Sequence, residues 1–130
     1  NIASRYGNAN RVLVFKLGGA TVPLPPELAP LPPAPRPPAR AGSATDIAAG
    51  AKLFGGNCAH CHTNGGRGPV PDLRRSTPEV HAAFQQIVRG GALQACAMPR
   101  WDDLLSEKEV DQIHAYLIDL GWREYDRLPK

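Results

Sequence analysis

The run Cys58-Ala59-His60-Cys61-His62 constrains this 130-residue chain more than any other feature. Two thiols three positions apart fit one helical turn, and a histidine directly follows the second. The spacing has three chemical readings. A zinc site normally takes four ligands, yet the chain holds one further cysteine, Cys96, and no second Cys-x-x-Cys pair. A thioredoxin-like dithiol sits in a strand-turn-helix unit of an α/β domain, which the surrounding sequence does not show.

The third reading is covalent attachment of haem. Cys58 and Cys61 can each form a thioether to a vinyl group of one porphyrin, and His62 is then placed to offer a ring nitrogen to the iron. His60, inside the motif, points away when His62 binds and is expected to be exposed.

The remaining composition sets bounds. A chain of 130 residues allows one compact domain and an extension. No run is long enough to span a membrane, and no signal-peptide pattern opens the chain. It starts at Asn1 without Met, so a mature or excised piece is expected. Residues 1–40 carry five Lys/Arg against one Glu, and residues 41–130 carry ten against eleven Asp/Glu, so the net charge of +3 belongs to the arm. Basic residues are neither clustered nor interleaved with aromatics, which argues against nucleic acid.

The organisation changes near residue 42. Nine of the eighteen residues 23–40 are proline, which excludes helix and central strand because each proline fixes φ and lacks a donor. As polyproline II this stretch could span about 55 Å at roughly 3.1 Å per residue, either as a disordered tether or as a semi-rigid strap on a partner surface. Before it, Arg11-Val12-Leu13-Val14-Phe15-Lys16-Leu17 reads as a strand closed by Gly18-Gly19. A lone strand is not stable in water, so this one calls for a pairing partner outside residues 1–40.

Beyond the spacer the pattern is helical. Thr45 or Asp46 can cap a first helix carrying Ile47, Gly50, Ala51 and Phe54 and ending at Gly55-Gly56. Thr77-Pro78-Glu79 opens a second, with Val80, Phe84, Ile87 and Val88 on its apolar face and Gly90-Gly91 as its stop. Ser106-Glu107-Lys108-Glu109 is a capping box, and Leu105 with Val110 forms a hydrophobic staple. The last helix then presents Val110, Ile113, Tyr116, Leu117 and Leu120 before Gly121.

A second axial ligand has few candidates. Met98 is the only methionine; it lies thirty-six positions after His62 in an irregular segment and is followed by Pro99. A methionine kept only for packing would normally sit on an amphipathic helix face. His81 and His114 are rivals at the margins of their helices, and an open iron site is the remaining option. Arg74, Arg75, Arg100 and Trp101 are donors suited to haem propionates, or else solvated surface residues. Cys96 is left over and reads as a small buried side chain near Met98, or as a thiol for an intermolecular disulfide.

These motifs resemble the C-terminal cytochrome c domain of quinohaemoprotein alcohol dehydrogenases. The likeness rests on residues 46–122, notably Gly90-Gly91-Ala92-Leu93, Met98-Pro99-Arg100-Trp101-Asp102-Asp103-Leu104-Leu105 and Ile113-His114-Ala115-Tyr116-Leu117, and on the strand and connector ahead of them. It implies an all-α fold, class I cytochrome c helices around a covalent haem, preceded by an extended strand and a proline-rich linker. Residues 1–22 would then be the terminal strand of, or dock onto, a β-propeller dehydrogenase domain, 23–42 the linker and 43–130 the cytochrome domain. In that family the Met-Pro pair supplies the sixth ligand, and the proximal histidine donates to a proline carbonyl in a Pro-x-Leu segment. Pro71-Asp72-Leu73 matches this segment, with Leu73 on the porphyrin and Pro69 as the competing acceptor. Gly50 and Phe54 against Tyr116 resemble the family's crossing of first and last helices.

The resemblance further implies electron transfer from the reduced pyrroloquinoline quinone (PQQ) of a dehydrogenase domain or subunit to an external acceptor protein or quinone. Export to the periplasm, where such haem is attached, goes with it. PQQ, its calcium or lanthanide ion and the catalytic carboxylate belong to the dehydrogenase part, and no catalytic residue is expected in this sequence. The other expectations are a free-standing carrier and a haem protein with an open distal site.

Overall fold

The computed structural model describes residues 16–19, 21, 32–66 and 71–127. The chain divides into two units, Asn1–Pro33 and Ala34–Lys130. In the first, residues 16–19 make a turn closed by Gly19 N–H donating to the Lys16 carbonyl at 3.2 Å, with Gly18 at φ +69° and Leu17 fully exposed. The strand expected over residues 11–17 is therefore not extended at Leu17; residues 11–15 lie outside the described residues.

The second unit is helical, as expected from its periodicity, and no strand occurs among the described residues. Its helices are α1 (Ala44–Asn57), α2 (Ala59–His62), α3 (Pro78–Ala82), α4 (Phe84–Val88) and α5 (Glu107–Arg127), with 3-10 turns at Leu73–Arg75 and Gln94–Cys96. The cap of α1 is Ser43, not Thr45 or Asp46. Ser43 Oγ accepts from Asp46 N–H at 3.1 Å, and the Asp46 carboxylate accepts from Ser43 N–H at 3.0 Å, a reciprocal capping box. Neither Gly55 nor Gly56 ends the helix, which continues to Asn57.

The stretch read as one second helix is two. Ala83 adopts φ −94°, ψ 11° between α3 and α4, and the turn there leaves Phe84 buried, its ring stacked 4.2 Å from His114. At α5 the box is as expected: the Ser106 hydroxyl and N–H both donate to Glu109, at 2.7 and 2.9 Å. The staple residues Leu105 and Val110 are both buried.

The core lies where α1 and α5 cross, built from Phe54, Phe84, Val88, Leu105, Val110, Ile113 and Leu117. Each such side chain removed from water contributes about 1.5–3 kcal/mol. The crossing is close because Gly50 has no side chain: a Cβ there would lie 1.9 Å from the Gln112 carbonyl oxygen. One turn on, Phe54 meets Tyr116 with ring centres 5.6 Å apart. This holds the C-terminal end of α1, and the motif that follows it, against α5.

Within the stretch expected as linker, residues 34–41 belong to this unit. Ala34 and Pro37 are buried, and Pro38 accepts a 2.8 Å hydrogen bond from Trp122 Nε1. α5 passes through Gly121 without stopping, and a Cβ at Gly121 would lie 3.2 Å from Pro37 Cγ.

Candidate haem site

The motif emerges directly from α1. Cys58 N–H donates to the Phe54 carbonyl at 2.9 Å, and the Cys58 carbonyl accepts from Cys61 N–H at 3.2 Å and His62 N–H at 3.0 Å, which closes α2 as a single turn. Both thiols thus belong to one turn, with Cys58 half-buried and Cys61 exposed. Burial, and then the neighbouring Cys61, push the Cys58 thiol up to about 11, so it is a neutral thiol at pH 7. His62 is buried and its Nδ1 is enclosed without a hydrogen-bond partner, whereas His60 is exposed as expected. Thr63, immediately after His62, sits at φ 55°, ψ 161°, a conformation costly for a β-branched residue.

The chain then returns to the core. Leu73 N–H donates to the Gly66 carbonyl at 2.8 Å, and Leu73 is half-buried against the core cluster. Pro71 is exposed and makes no hydrogen bond with His62 Nδ1; Pro69 lies outside the described residues. Arg74 is not a solvated donor. It forms a two-pronged ion pair with Asp72, Nε–Oδ1 2.9 Å and Nη2–Oδ2 2.6 Å, and a second pair with Glu124 on α5. Arg100 is a surface residue paired with Asp102 at 2.6 Å.

Met98 is half-buried against the same core cluster as Cys58, Ala59, Leu73 and Trp101, on an irregular segment and not a helix face. Ala97, directly before it, takes a left-handed φ of 64°. The backbone N–H of Trp101 anchors the segment by donating to the Val88 carbonyl at 3.0 Å. Cys96 is exposed, which corrects the expectation of a buried thiol, because the 3-10 turn Gln94–Cys96 lies on the surface.

His81 and His114 are engaged with each other, Nδ1 to Nε2 at 2.9 Å, in a stack completed by Phe84. Burial, joined for His114 by the adjacent His81, lowers both, His114 to about 4. Sequence periodicity set each histidine at a helix margin but could not reveal the pairing, which depends on the α3–α5 approach.

The arrangement fits a covalently held porphyrin. Two unpaired thiols and a buried imidazole lie on one turn, and a thioether and an indole pack on the apolar cluster that the turn also touches. Among the described residues no three His, Cys, Asp or Glu side chains converge on a metal ion, as a closed zinc centre would require.

Comparison with known proteins agrees. Residues 45–117 match the family described as cytochrome C oxidase, cbb3-type, subunit III. The quinohemoprotein alcohol dehydrogenase ADH-IIG of Pseudomonas putida is 46% identical over 112 residues, covering 83% of this chain and 15% of that protein. The solved structure of quinohemoprotein alcohol dehydrogenase ADHIIG from Pseudomonas putida HK5 superposes with a TM-score of 0.67 at 40% identity, over 86% of this chain and 16% of that one. Cytochrome c6 of Chlorolobion braunii is 37% identical over 84 residues, covering 57% of this chain and 90% of the relative. The chain thus spans only about a sixth of the dehydrogenases it matches but nearly the whole of a small cytochrome. With its helices, its Cys-x-x-Cys-His turn and a family match over more than half its length, this chain belongs to the cytochrome C oxidase, cbb3-type, subunit III family and has the class I cytochrome c fold, with the c-type haem and electron transfer that go with it.

Proposed function

We propose that this chain is the electron-transfer domain of a PQQ-dependent alcohol dehydrogenase, working in the periplasm. When bound, a c-type haem supplies a one-electron ferric–ferrous couple. Cys58 and Cys61 would hold it through thioethers. His62 and Met98 would supply the ligands to its iron, and the neutral thioether of Met98 would favour the ferrous state. Leu73 and Trp101 line the apolar surroundings with Pro71, and Arg100 lies on the rim. The buried His62 Nδ1, without a hydrogen-bond partner, calls for an acceptor once Nε2 is committed, and the Pro-x-Leu segment would have to move to supply it. The backbone strain at Thr63 and Ala97, one beside each ligand residue, is what a fixed ligand geometry would demand.

Electrons arrive singly from the reduced quinone of a dehydrogenase domain or subunit and leave to an external acceptor protein or quinone. PQQ and its calcium or lanthanide ion belong to that partner. One observation carries this assignment. Residues 43–130 are 88 of the 130, about two thirds, so a dehydrogenase match covering 83% of the chain reaches well into the arm. A likeness in the cytochrome domain alone would have stopped there. Among the described residues no helix is long and apolar enough to cross a membrane.

The first test is the optical spectrum of the ferric and ferrous protein. Haem bands that survive denaturation establish the thioethers. The weak long-wavelength ferric band of thioether ligation should be present and should vanish in Met98→Ala; a spectrum unchanged in that variant would rule Met98 out. The partner is tested by mixing with a quinone-loaded dehydrogenase and following ferrous bands after alcohol addition. A second reading, a free-standing carrier, draws on the 90% coverage of the Chlorolobion cytochrome. It requires exchange with soluble acceptors while the dehydrogenase fails to reduce the protein.

A further inference from the structure

Arg74 stands apart from the expected ligand set, yet it is the most heavily committed charged side chain near it. It follows Leu73 in the 3-10 turn, and its side chain is only 13% exposed. Asp72 accepts from three Arg74 donors, the backbone N–H at 3.1 Å and two guanidinium nitrogens, while Nη1 reaches across to Glu124 on α5. The turn rests directly on that helix, since a Cβ at Gly121 would lie 3.3 Å from the Arg74 carbonyl oxygen. Asp72 and Glu124 are themselves mostly buried, 25% and 18% exposed, so one positive charge offsets two negative ones in a partly desolvated cluster. Such a cluster is screened far less than a surface pair.

Given the electron-transfer function above, on which this inference rests, we propose that Arg74 is a positioning residue of the redox site. Its guanidinium clamps residues 71–73 onto α5 and sets the local charge against which the iron changes oxidation state. Only a planar fork can hold both Asp72 oxygens while also reaching Glu124. Without it, Asp72 and Glu124 lose the ion pairs it makes with them, and the added net negative charge favours the ferric form.

The test is the reduction potential of the haem-loaded full chain, measured alongside thermal stability. Arg74→Ala should lower the ferrous-to-ferric ratio at a fixed ambient potential by about threefold or more. Arg74→Lys, which keeps the charge and loses the fork, should recover part of that shift. Glu124→Gln in the otherwise unchanged protein should move the ratio the opposite way, and it carries the test alone if Arg74→Ala does not fold. Unchanged potentials in Arg74→Ala and Glu124→Gln, with only stability reduced, would overturn the proposal and leave Arg74 a brace. Wild-type protein without covalent haem would instead overturn the electron-transfer reading, and the proposal with it.

Discussion

Gly50 is where a single missing atom decides whether α1 and α5 can meet. A methyl group at 1.9 Å from the Gln112 carbonyl oxygen cannot be relieved by a side-chain rotation, because the obstacle is backbone. Gly50→Ala should therefore separate the helices and destabilise the haem-loaded protein by about 3 kcal/mol, read as a lower denaturant midpoint. Gly55→Ala, in open space on the same helix, is the control and should be neutral or slightly stabilising. At this scale the sequence says most about the candidate haem site. Cys58, Cys61, His62 and Met98 stand out as its candidates because rare residue types stand at telling spacings. Contacts between common residues were opaque: the exposure of Cys96, the Arg74 ion pairs and the His81–His114 stack all depend on which surfaces the turns bring together.

Between elements, the caps and the histidine stack make distinct predictions. Ser106→Ala removes the hydroxyl that bonds Glu109 at the start of α5 and should cost about 1 kcal/mol in a denaturant titration at pH 7. At α1 the Ser43 hydroxyl, then the Ser43 N–H and then Gln112 hold Asp46 down to about 2 from its ordinary 3.8. The folded state thus prefers the carboxylate: its contribution is complete above 3.8 and is lost as pH falls through about 2. The stability gap between the wild type and Asp46→Asn should close across that window. His114 behaves in the reverse sense to a salt-bridged histidine. The unfolded chain takes up its proton near 6.5, while burial beside His81 delays protonation in the folded chain to about 4. The unfolded state therefore binds more protons between those values, and stability should fall as pH drops from 6.5 to about 4. His114→Gln should flatten that slope; an equal slope in both proteins would show that the stack does not govern it. The α5 box was legible because Ser106 and Glu109 stand alone at the required spacing. At α1 the expectation fell on Thr45 or Asp46, and only the Asp46 carboxylate turning back to Ser43 reveals Ser43 as the cap.

Across the whole molecule the arm is shorter as a tether than its proline content suggests. Proline density marked residues 23–40 as an element without helix or central strand, but it carried no signal of where the chain would find a surface. That signal is long-range. Trp122, eighty-four residues beyond Pro38, donates its indole N–H to the Pro38 carbonyl, and the Arg36 and Arg40 guanidinium groups lie 5.7 and 5.6 Å from its ring centre. Arg40 also pairs with the largely buried Asp119 at 2.6 Å. These contacts converge on Asp119 and Trp122, so removing the indole should release the strap while sparing the α1–α5 crossing, which lies earlier on α5 at Gln112 and Tyr116. In Trp122→Ala, amide exchange in the non-proline residues of 34–41 should accelerate, and proteases should cut there first. The haem spectrum and the protection of α1 should stay unchanged. Arg40→Ala should give a weaker version of the same pattern, because it leaves the indole–carbonyl bond in place. Exchange rising uniformly through α5 and α1 would mean instead that the strap is a structural part of the core, and that the helical unit cannot be detached from its arm at residue 43.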